Sequence, residues 1–518
     1  MAKEREKKLL VGVLGNYAAE LKLLLTTLLL LCAIATLLQF IPSRFTFSAS
    51  DLRVCISRVS QGPSSSSSIT NSSKLVSSSS SSPPPPKEEH KHEHEHEHEH
   101  ERERTLENGI IKRVFKPYGS ASYNFITMGA YRGGLSNFAI VGLSSKPLHV
   151  YGKPTYQCEW VPRENSSTAD SVLFSSAAFK ILPDWGYGRV YTVVVVNCTF
   201  SRPVNADNSG GKLILHASTS GGGDANFNIT DRIEVLAESP GSFDASIFTS
   251  EPKYDYFYCG SSLYGNLNAQ RVREWIAYHV KFFGPRSHFV IHDAGGIHPQ
   301  VLEVLKPWME LGYVTLQDIR DQERFDGYYH NQFMVVNDCL FRYKFMAKWM
   351  FFFDVDEYIY VPPKSTIKSV LESFSEYSQF TIEQMPMSPK LCLTDDAGRM
   401  YRKWGFEKYV YRDVKRGIRR DRKYAVQPRR LYATGVHMSE NVEGKTTHKT
   451  EGRIMYFHYH GTIAERRESC RTLLNSTTTQ FTFDKTPYVL DTTMRDIGGV
   501  IKKFEQRMIG DRLQHIHQ

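Results

Sequence analysis

Apolar and polar positions along this chain change rhythm four times, and each change marks a different kind of structure. Leu23–Ile41 is apolar apart from Thr26, Thr27, Thr36 and Gln39. As a helix it would span roughly 28 Å, the thickness of a thin secretory-pathway bilayer. Lys3, Arg5, Lys7, Lys8 and Lys22 precede it, so residues 1–22 are expected to stay cytosolic and the rest to face the lumen. The run is longer than a signal-peptide core, and no small-x-small cleavage site follows closely. Residues 23–41 therefore read as an uncleaved anchor of type II topology. Sequons at Asn71, Asn165, Asn197, Asn228 and Asn475 all lie beyond it.

Periodicity then disappears. Residues 42–105 hold serine runs, the Pro83–Pro86 block and a His/Glu repeat, with too little apolar surface to offset the entropy of ordering. They read as a disordered stem, and the His/Glu run as a solvated spacer rather than a metal site. From 106 to 248 the pattern is strand-like. Asn137–Ser144, Pro147–Trp160, Arg189–Phe200 and Lys212–Ser218 are short, β-branched or aromatic, and separated by turn residues. Tyr191–Val196, apolar almost throughout, should be a buried central strand. An antiparallel β-sandwich is expected. Trp160, Trp185, Tyr187 and Tyr191 are either its core or a platform for sugar rings.

From 249 to 518 strands alternate with helices. Tyr254–Cys259, Ser287–His292, Tyr313–Gln317 and Trp349–Phe353 read as strands. Ala269–Phe283, His298–Leu311 and Tyr328–Lys344 read as helices. The alternation predicts βαβ units and a mostly parallel sheet, whose ligands bind beyond the carboxyl ends of the strands. Chemistry is therefore sought at Asp293, Asp318 and Asp354–Glu357.

The last of these is the most informative. Lys348-Trp-Met-Phe-Phe-Phe runs into Asp354-Val-Asp-Glu. A strand buried on both faces would deliver three acids at its end. In extended chain Asp354 and Asp356 point the same way, and two adjacent carboxylates repel unless a cation lies between them. Mn²⁺ or Mg²⁺ would resolve this and also grip a diphosphate. The alternative is a strand-end turn with a capping acid.

With these residues in view, the segment His330-Asn-Gln-Phe-Met-Val-Val-Asn-Asp-Cys-Leu through Lys348-Trp-Met-Phe-Phe-Phe-Asp-Val-Asp-Glu-Tyr resembles glycosyltransferase family 92. Arg273-Glu-Trp-Ile-Ala-Tyr-His and Cys259 with Tyr264-Gly265 look like that family's opening motifs. The chain as a whole is similar to its plant β-1,4-galactan galactosyltransferases, from about Pro252 onward above all. The resemblance implies an α/β, GT-A type nucleotide-sugar-binding domain following the β-module. It also implies UDP-galactose as donor, Mn²⁺, inversion, a β-1,4-galactan or pectic acceptor, and a Golgi membrane location. Asp354 and Asp356 would be the metal pair, with Asp354 also reaching the donor. Asp293 would hold uridine or ribose, unless it is merely a helix N-cap or a turn acid. A late His would complete the metal site, with His458 first and His437 second. Lys423, ahead of Pro428 in a family-like pattern, would meet the donor phosphates.

Inversion needs a general base. Glu407 stands where the family has a Trp and Phe-Gly pattern from which this chain departs, and Asp395 and Asp396 are its rivals. Two further readings stay open: another UDP-sugar or glycan acceptor, and a polysaccharide-binding protein without catalysis.

The formal charge is +9, with Lys and Arg concentrated between Lys403 and Arg430. That suits an anionic ligand at one place, and a lumenal topology excludes nucleic acid as a partner. Cysteines number eight. Cys158–Cys198 is the expected disulfide, Cys339 is expected to stay free, and Cys55 in the stem leaves a homodimer open.

Overall fold

The computed structural model describes residues 103–118, 123–146, 154–163, 172–176, 178–181, 190–220, 228–325, 329–416, 422–464 and 469–516. The expected tail, anchor and stem up to residue 102, with Cys32, Cys55 and Asn71, lie outside them, as do Asn165, Trp185 and Tyr187. No helix among the described residues is long and apolar enough to cross a membrane.

The β-rich part forms two facing sheets. Strands β1 (Phe125–Arg132), β2 (Asn137–Ser145), β3 (Thr155–Pro162), β4 (Tyr191–Thr199), β5 (Gly211–Ser220) and β6 (Asn228–Glu238) are all antiparallel to their neighbours. One sheet runs 116–118, β1, β2, β4, 178–181; the other runs β6, β5, β3, 172–175. Alternation sorts the side chains. Phe138, Ile140, Val194 and Val196 meet Trp160, Leu213 and Leu215 of the second sheet. The disulfide Cys158–Cys198 joins β3 to β4 across that core, as the sequence led us to expect. Trp160 is core, stacked on Phe138, and is no sugar platform. Asn197 lies within β4 with its amide nitrogen sealed from solvent, so of the two described sequon side chains Asn475, on an exposed turn, is the accessible one.

The α/β part begins with β7 (Tyr254–Leu263), α1 (Ala269–Phe283), β8 (Ser287–Asp293), α2 (Pro299–Glu310), β9 (Val314–Asp318), α3 (Gln332–Arg342) and β10 (Ala347–Phe352). Helix α1 starts because the Asn268 side chain accepts from the Arg271 N–H. It stops at Gly284, whose φ of +79° suits glycine. The strands β11 (Glu357–Tyr360), β12 (Gln379–Pro386), β13 (Lys423–Val426) and β14 (Met455–His458) and the helix α4 (Thr493–Ile509) follow. The main sheet runs 104–105, 111–112, β9, β8, β7, β10, β13, β12, β14, β11. It is parallel from 111–112 through β10. Beyond β10 it is mixed, with β10–β13, β13–β12 and β14–β11 antiparallel. The expected parallel sheet is thus only its first half. Residues 104–105, expected in the stem, and 111–112, expected to open the β-module, instead edge this sheet.

Odd and even strand positions again divide the packing. Tyr258, Phe289, Trp349 and Phe351 face α1 and α2. Phe257, Cys259, Met350 and Phe352 face α3, which is covered in turn by Ile126, Val141, Val193 and Val195 of the first module sheet. The five-stranded sheet is therefore buried on both faces, and α3 is shared between the two halves. Cys339 on α3 is bonded to Cys259 on β7, which corrects the expectation of a free thiol. Both cysteines face the same core, a relation that periodicity alone does not reveal. A third bridge joins Cys392 to Cys470.

Candidate active site

Strands β7, β8 and β9 advance across the sheet in one direction. The chain then returns through α3 to lay β10 on the other side of β7. The strand order reverses between β7 and β10, and an open sheet has its crevice at the carboxyl end of such a reversal. A cleft of about 430 Å³ lies there, lined by Ser261–Tyr264 at the end of β7 and Asp354–Glu357 after β10. Its other walls include Gln332, Gln384, Lys423, His437, His458 and His460.

The acids leave β10 in a tight turn, not in the extended form expected. The Glu357 N–H donates to the Asp354 carbonyl (3.1 Å), and Val355 turns into the core. Helix α1 fixes the turn from beneath, with Trp275 Nε1–H donating to the carbonyls of Asp354 (3.2 Å) and Glu357 (2.9 Å). Tyr258 donates to the Phe353 carbonyl at 3.0 Å. His279 receives the Ile359 N–H, so the start of β11 is held as well. Burial drives the His279 pKa down to about 3, and it serves here as a neutral acceptor.

The turn separates the two aspartates. Asp354 accepts from Lys423 Nζ at 2.7 Å and from the Ser261 hydroxyl, which receives Gln332 Nε2–H at 2.9 Å. Burial works against its charge, but Lys423 and Ser261 prevail and hold its pKa at about 2. Lys423 also lies 3.6 Å from Glu357. Its ammonium is thus occupied by two carboxylates, and burial is outweighed by them in raising its pKa.

Asp356 faces the other way. Antiparallel pairing sets Glu357 opposite His458, and His458 Nε2 lies 3.6 Å from Asp356 and 3.9 Å from Glu357. The Tyr459 N–H donates to the Asp356 carbonyl (2.9 Å), and Gly461 N–H reaches its carboxylate (3.3 Å). That stitching swings His460 onto the same spot. Asp356, His458 and His460 offer one oxygen and two nitrogens, all within 4.8 Å of one another, the only such metal-capable group among the described residues. One carboxylate and two imidazoles suit Mn²⁺ and related divalent ions. The Gln384 amide lies 2.5 Å from His458 Nδ1 and fixes the ring. Burial opposes protonation of His458, yet the bond to Asp356 and the charges of Glu357 and Asp356 raise its pKa to about 9. Burial pushes Glu357, 1% exposed, up to about 7. The cluster carries more negative character than the chain itself neutralises, so the residues fit a divalent cation.

The remaining expected residues divide. His437 lines the cleft but stands outside the metal group, its Nδ1 3.1 Å from the Arg422 carbonyl. Asp293 does not reach the cleft wall. Its Oδ1 accepts the N–H groups of Gly295 (2.8 Å) and Ile297 (3.1 Å) in the loop before α2, the role of a turn acid, while α2 itself is N-capped by His298. Asp318 is paired with Arg320 at 2.6 Å. Glu407 is bound to Lys502 (2.5 Å) and Asp396 to Arg495 (2.5 Å), both outside the cleft, and Asp395 lies on the exposed turn beside them. None of the three expected bases lines the cleft, because the segment carrying them packs against α4 instead. Residues that sequence reasoning left out are Ser261, Gln332, Gln384 and His460. Only His460 had a signal, its alternation with His458 in Tyr456-Phe-His-Tyr-His.

The profile of glycosyltransferase family 92 matches residues 254–497, which contain the whole cluster. The chain is 61% identical to galactan beta-1,4-galactosyltransferase GALS3 of Arabidopsis thaliana and 59% identical to GALS2 of the same plant, each over the full length of both chains. It is 55% identical to the Arabidopsis thaliana enzyme GALS1 over 77% of this chain and 79% of that one. Similarity at this level over full length shows kinship: the chain belongs to glycosyltransferase family 92, in the group of the galactan β-1,4-galactosyltransferases.

Proposed function

We propose that this chain transfers galactose from UDP-galactose onto β-1,4-galactan, with inversion, in a GT-A type domain held on the lumenal side of the Golgi membrane. The observation that carries the reading is the Asp356–His458–His460 group at the strand reversal, in a chain 61% identical to a galactan β-1,4-galactosyltransferase. The anchor expected at 23–41 and the basic residues before it support the topology.

Asp356, His458 and His460 would hold the Mn²⁺ (or Mg²⁺), which when bound supplies neutralising charge for the departing diphosphate. Everything else comes from the chain. Trp275 and Tyr258 immobilise the acid turn, so the ligand atoms need no rearrangement when donor arrives. Lys423 neutralises Asp354 and leaves Asp356 to the two histidines. Gln384 orients His458. The acceptor hydroxyl must lose its proton as the new bond forms. Of the cleft residues, His437 is the group best disposed to take it. Its Nδ1 is turned to a backbone carbonyl, which leaves Nε2 as acceptor.

The test is transfer by the purified full-length protein with a panel of UDP-sugars on β-1,4-galacto-oligosaccharides, with and without chelator. UDP-galactose should be used far above the others, chelation should abolish transfer, and the product should carry a new β-1,4 linkage. Transfer from a different donor would replace the substrate assignment, and no transfer from any donor would favour a purely polysaccharide-binding protein.

A further inference from the structure

A second cleft of about 430 Å³ lies between α4 and residues 401–404, where the mechanism uses nothing. Its walls are fixed to each other. Lys502 Nζ on α4 donates to the Arg402 carbonyl at 3.0 Å and pairs with Glu407 at 2.5 Å. Arg273 on α1 grips Glu505 on α4 at 2.7 Å and donates to the carbonyls of Leu513 (2.6 Å) and Ile516 (3.0 Å). Glu505 is the sole carboxylate in the lining, and Arg273 consumes it. That leaves Arg402, Lys403 and Lys503 facing the cleft with no carboxylate at ion-pair distance among the described residues. Beside them the Tyr401 ring is 57% exposed, and Gln270, Gln506 and Gln514 contribute amides. Arg402 lies over the Tyr401 ring at 5.3 Å and donates to its hydroxyl at 2.9 Å, so ring and cations form one surface, which matches a ring bearing a negative charge.

The cleft is also joined to the catalytic centre. Glu274 accepts the Gly405 N–H (2.8 Å), next to Trp404 in the second cleft. Its partner Arg271 donates to Thr462 Oγ1 (2.9 Å), between Gly461 and Ile463 in the catalytic cleft. One buried ion pair thus spans the two walls.

We propose that this second cleft binds a carboxylate-bearing stretch of the acceptor glycan. The carboxylates pair with Arg402, Lys403 and Lys503, a ring stacks on Tyr401, and a neutral chain carried by that stretch is presented to the catalytic cleft. The inference rests on the reading of the chain as a glycan-directed transferase, and its test is a binding measurement independent of transfer.

An oligogalacturonate serves as probe, titrated into the full-length protein by calorimetry at low and moderate salt, with anionic phospholipid vesicles as a separate arm. We expect the oligogalacturonate to bind, and added salt to weaken it. The double variant Lys403→Gln/Lys503→Gln should weaken it roughly tenfold or more, and Tyr401→Ala roughly tenfold, charge-assisted and stacking contacts being of that size. Transfer to a neutral galacto-oligosaccharide should stay at the wild-type rate in both variants, which also shows them folded. The proposal is overturned if the oligogalacturonate does not bind, if both variants bind it as wild type does, or if vesicles bind through these lysines and the oligogalacturonate does not. Loss of transfer by the wild-type protein itself would instead count against the transferase reading.

Discussion

Two groups of buried charge in this molecule use the same residue types and end in different states. Where the β-module meets α3, Arg113 lies against Asp338 at 2.6 and 2.9 Å, with Gln317 at 2.7 Å and Tyr131 completing the shell. Both charged groups are sealed and paired, and Glu103 adds a second carboxylate 2.8 Å from Arg113. In the catalytic cleft Lys423 satisfies Asp354 in the same way and lies 3.6 Å from Glu357, but Asp356 has the imidazole of His458 as its one ion-pair partner among the described residues. The first arrangement is closed and can only hold the fold together. The second leaves negative charge over, in a cleft open to solvent, and that surplus is what a ligand cation answers. Pairing, more than burial, separates a structural charge from a functional one.

Substitutions should reproduce that separation. The largest effect is expected at the cleft. Asp356→Ala or His458→Ala should lower galactosyl transfer by about a thousandfold, the worth of several kcal/mol of charge stabilisation at the leaving group. The thermal unfolding temperature should fall by little, since His458 can release its proton when Asp356 is lost and the cleft stays open to solvent. A large fall in stability alongside would erase the distinction. At the interface the order reverses. Asp338→Ala leaves the buried Arg113 with Glu103 alone, at 2.8 Å, and should cost about 3 kcal/mol in denaturant unfolding, while the folded fraction keeps its specific activity. A double change of Arg113→Met and Asp338→Leu should recover much of that loss. The smallest effect is a pH dependence. Arg113 and the Tyr131 bond overcome burial to hold the Asp338 carboxyl at about 2. A depressed folded pKa gives stability that is present above the ordinary value near 3.8 and lost as pH falls through about 2. Asp338→Asn should remove roughly 2 kcal/mol of acid-linked stability from that window, read by unfolding at stepped pH.

Much of this was legible in the sequence because one-dimensional patterns dictate it. Helix α1 falls on the residues its periodicity marks, Ala269–Phe283, and the apolar run before Asp354 is a strand buried on both faces. The acids after it line the cleft. What escaped was set by contacts between distant segments. A tight turn in place of extended chain split Asp354 from Asp356, and nothing in the triplet itself announces that. His460 was reachable by alternation, but its place beside Asp356 depends on hydrogen bonds to Tyr459 and Gly461. Glu407 is marked by its place near a family pattern and Asp396 as its rival, and ion pairs with Lys502 and Arg495 claim them both. The module's second buried face could be inferred from Val193–Val196, which is apolar at every position, but what covers it could not.

The central claim is that Asp356, His458 and His460 form a cation site for the donor diphosphate. It is tested most directly by titrating Mn²⁺ into the full-length protein and following free ion by electron paramagnetic resonance, with and without UDP. The account predicts one ion per chain, bound more tightly when UDP is present, lost in Asp356→Ala and in His458→Ala, and unaltered in Asp338→Asn. Binding that survives both cleft substitutions, or an absence of binding even with UDP, would contradict it.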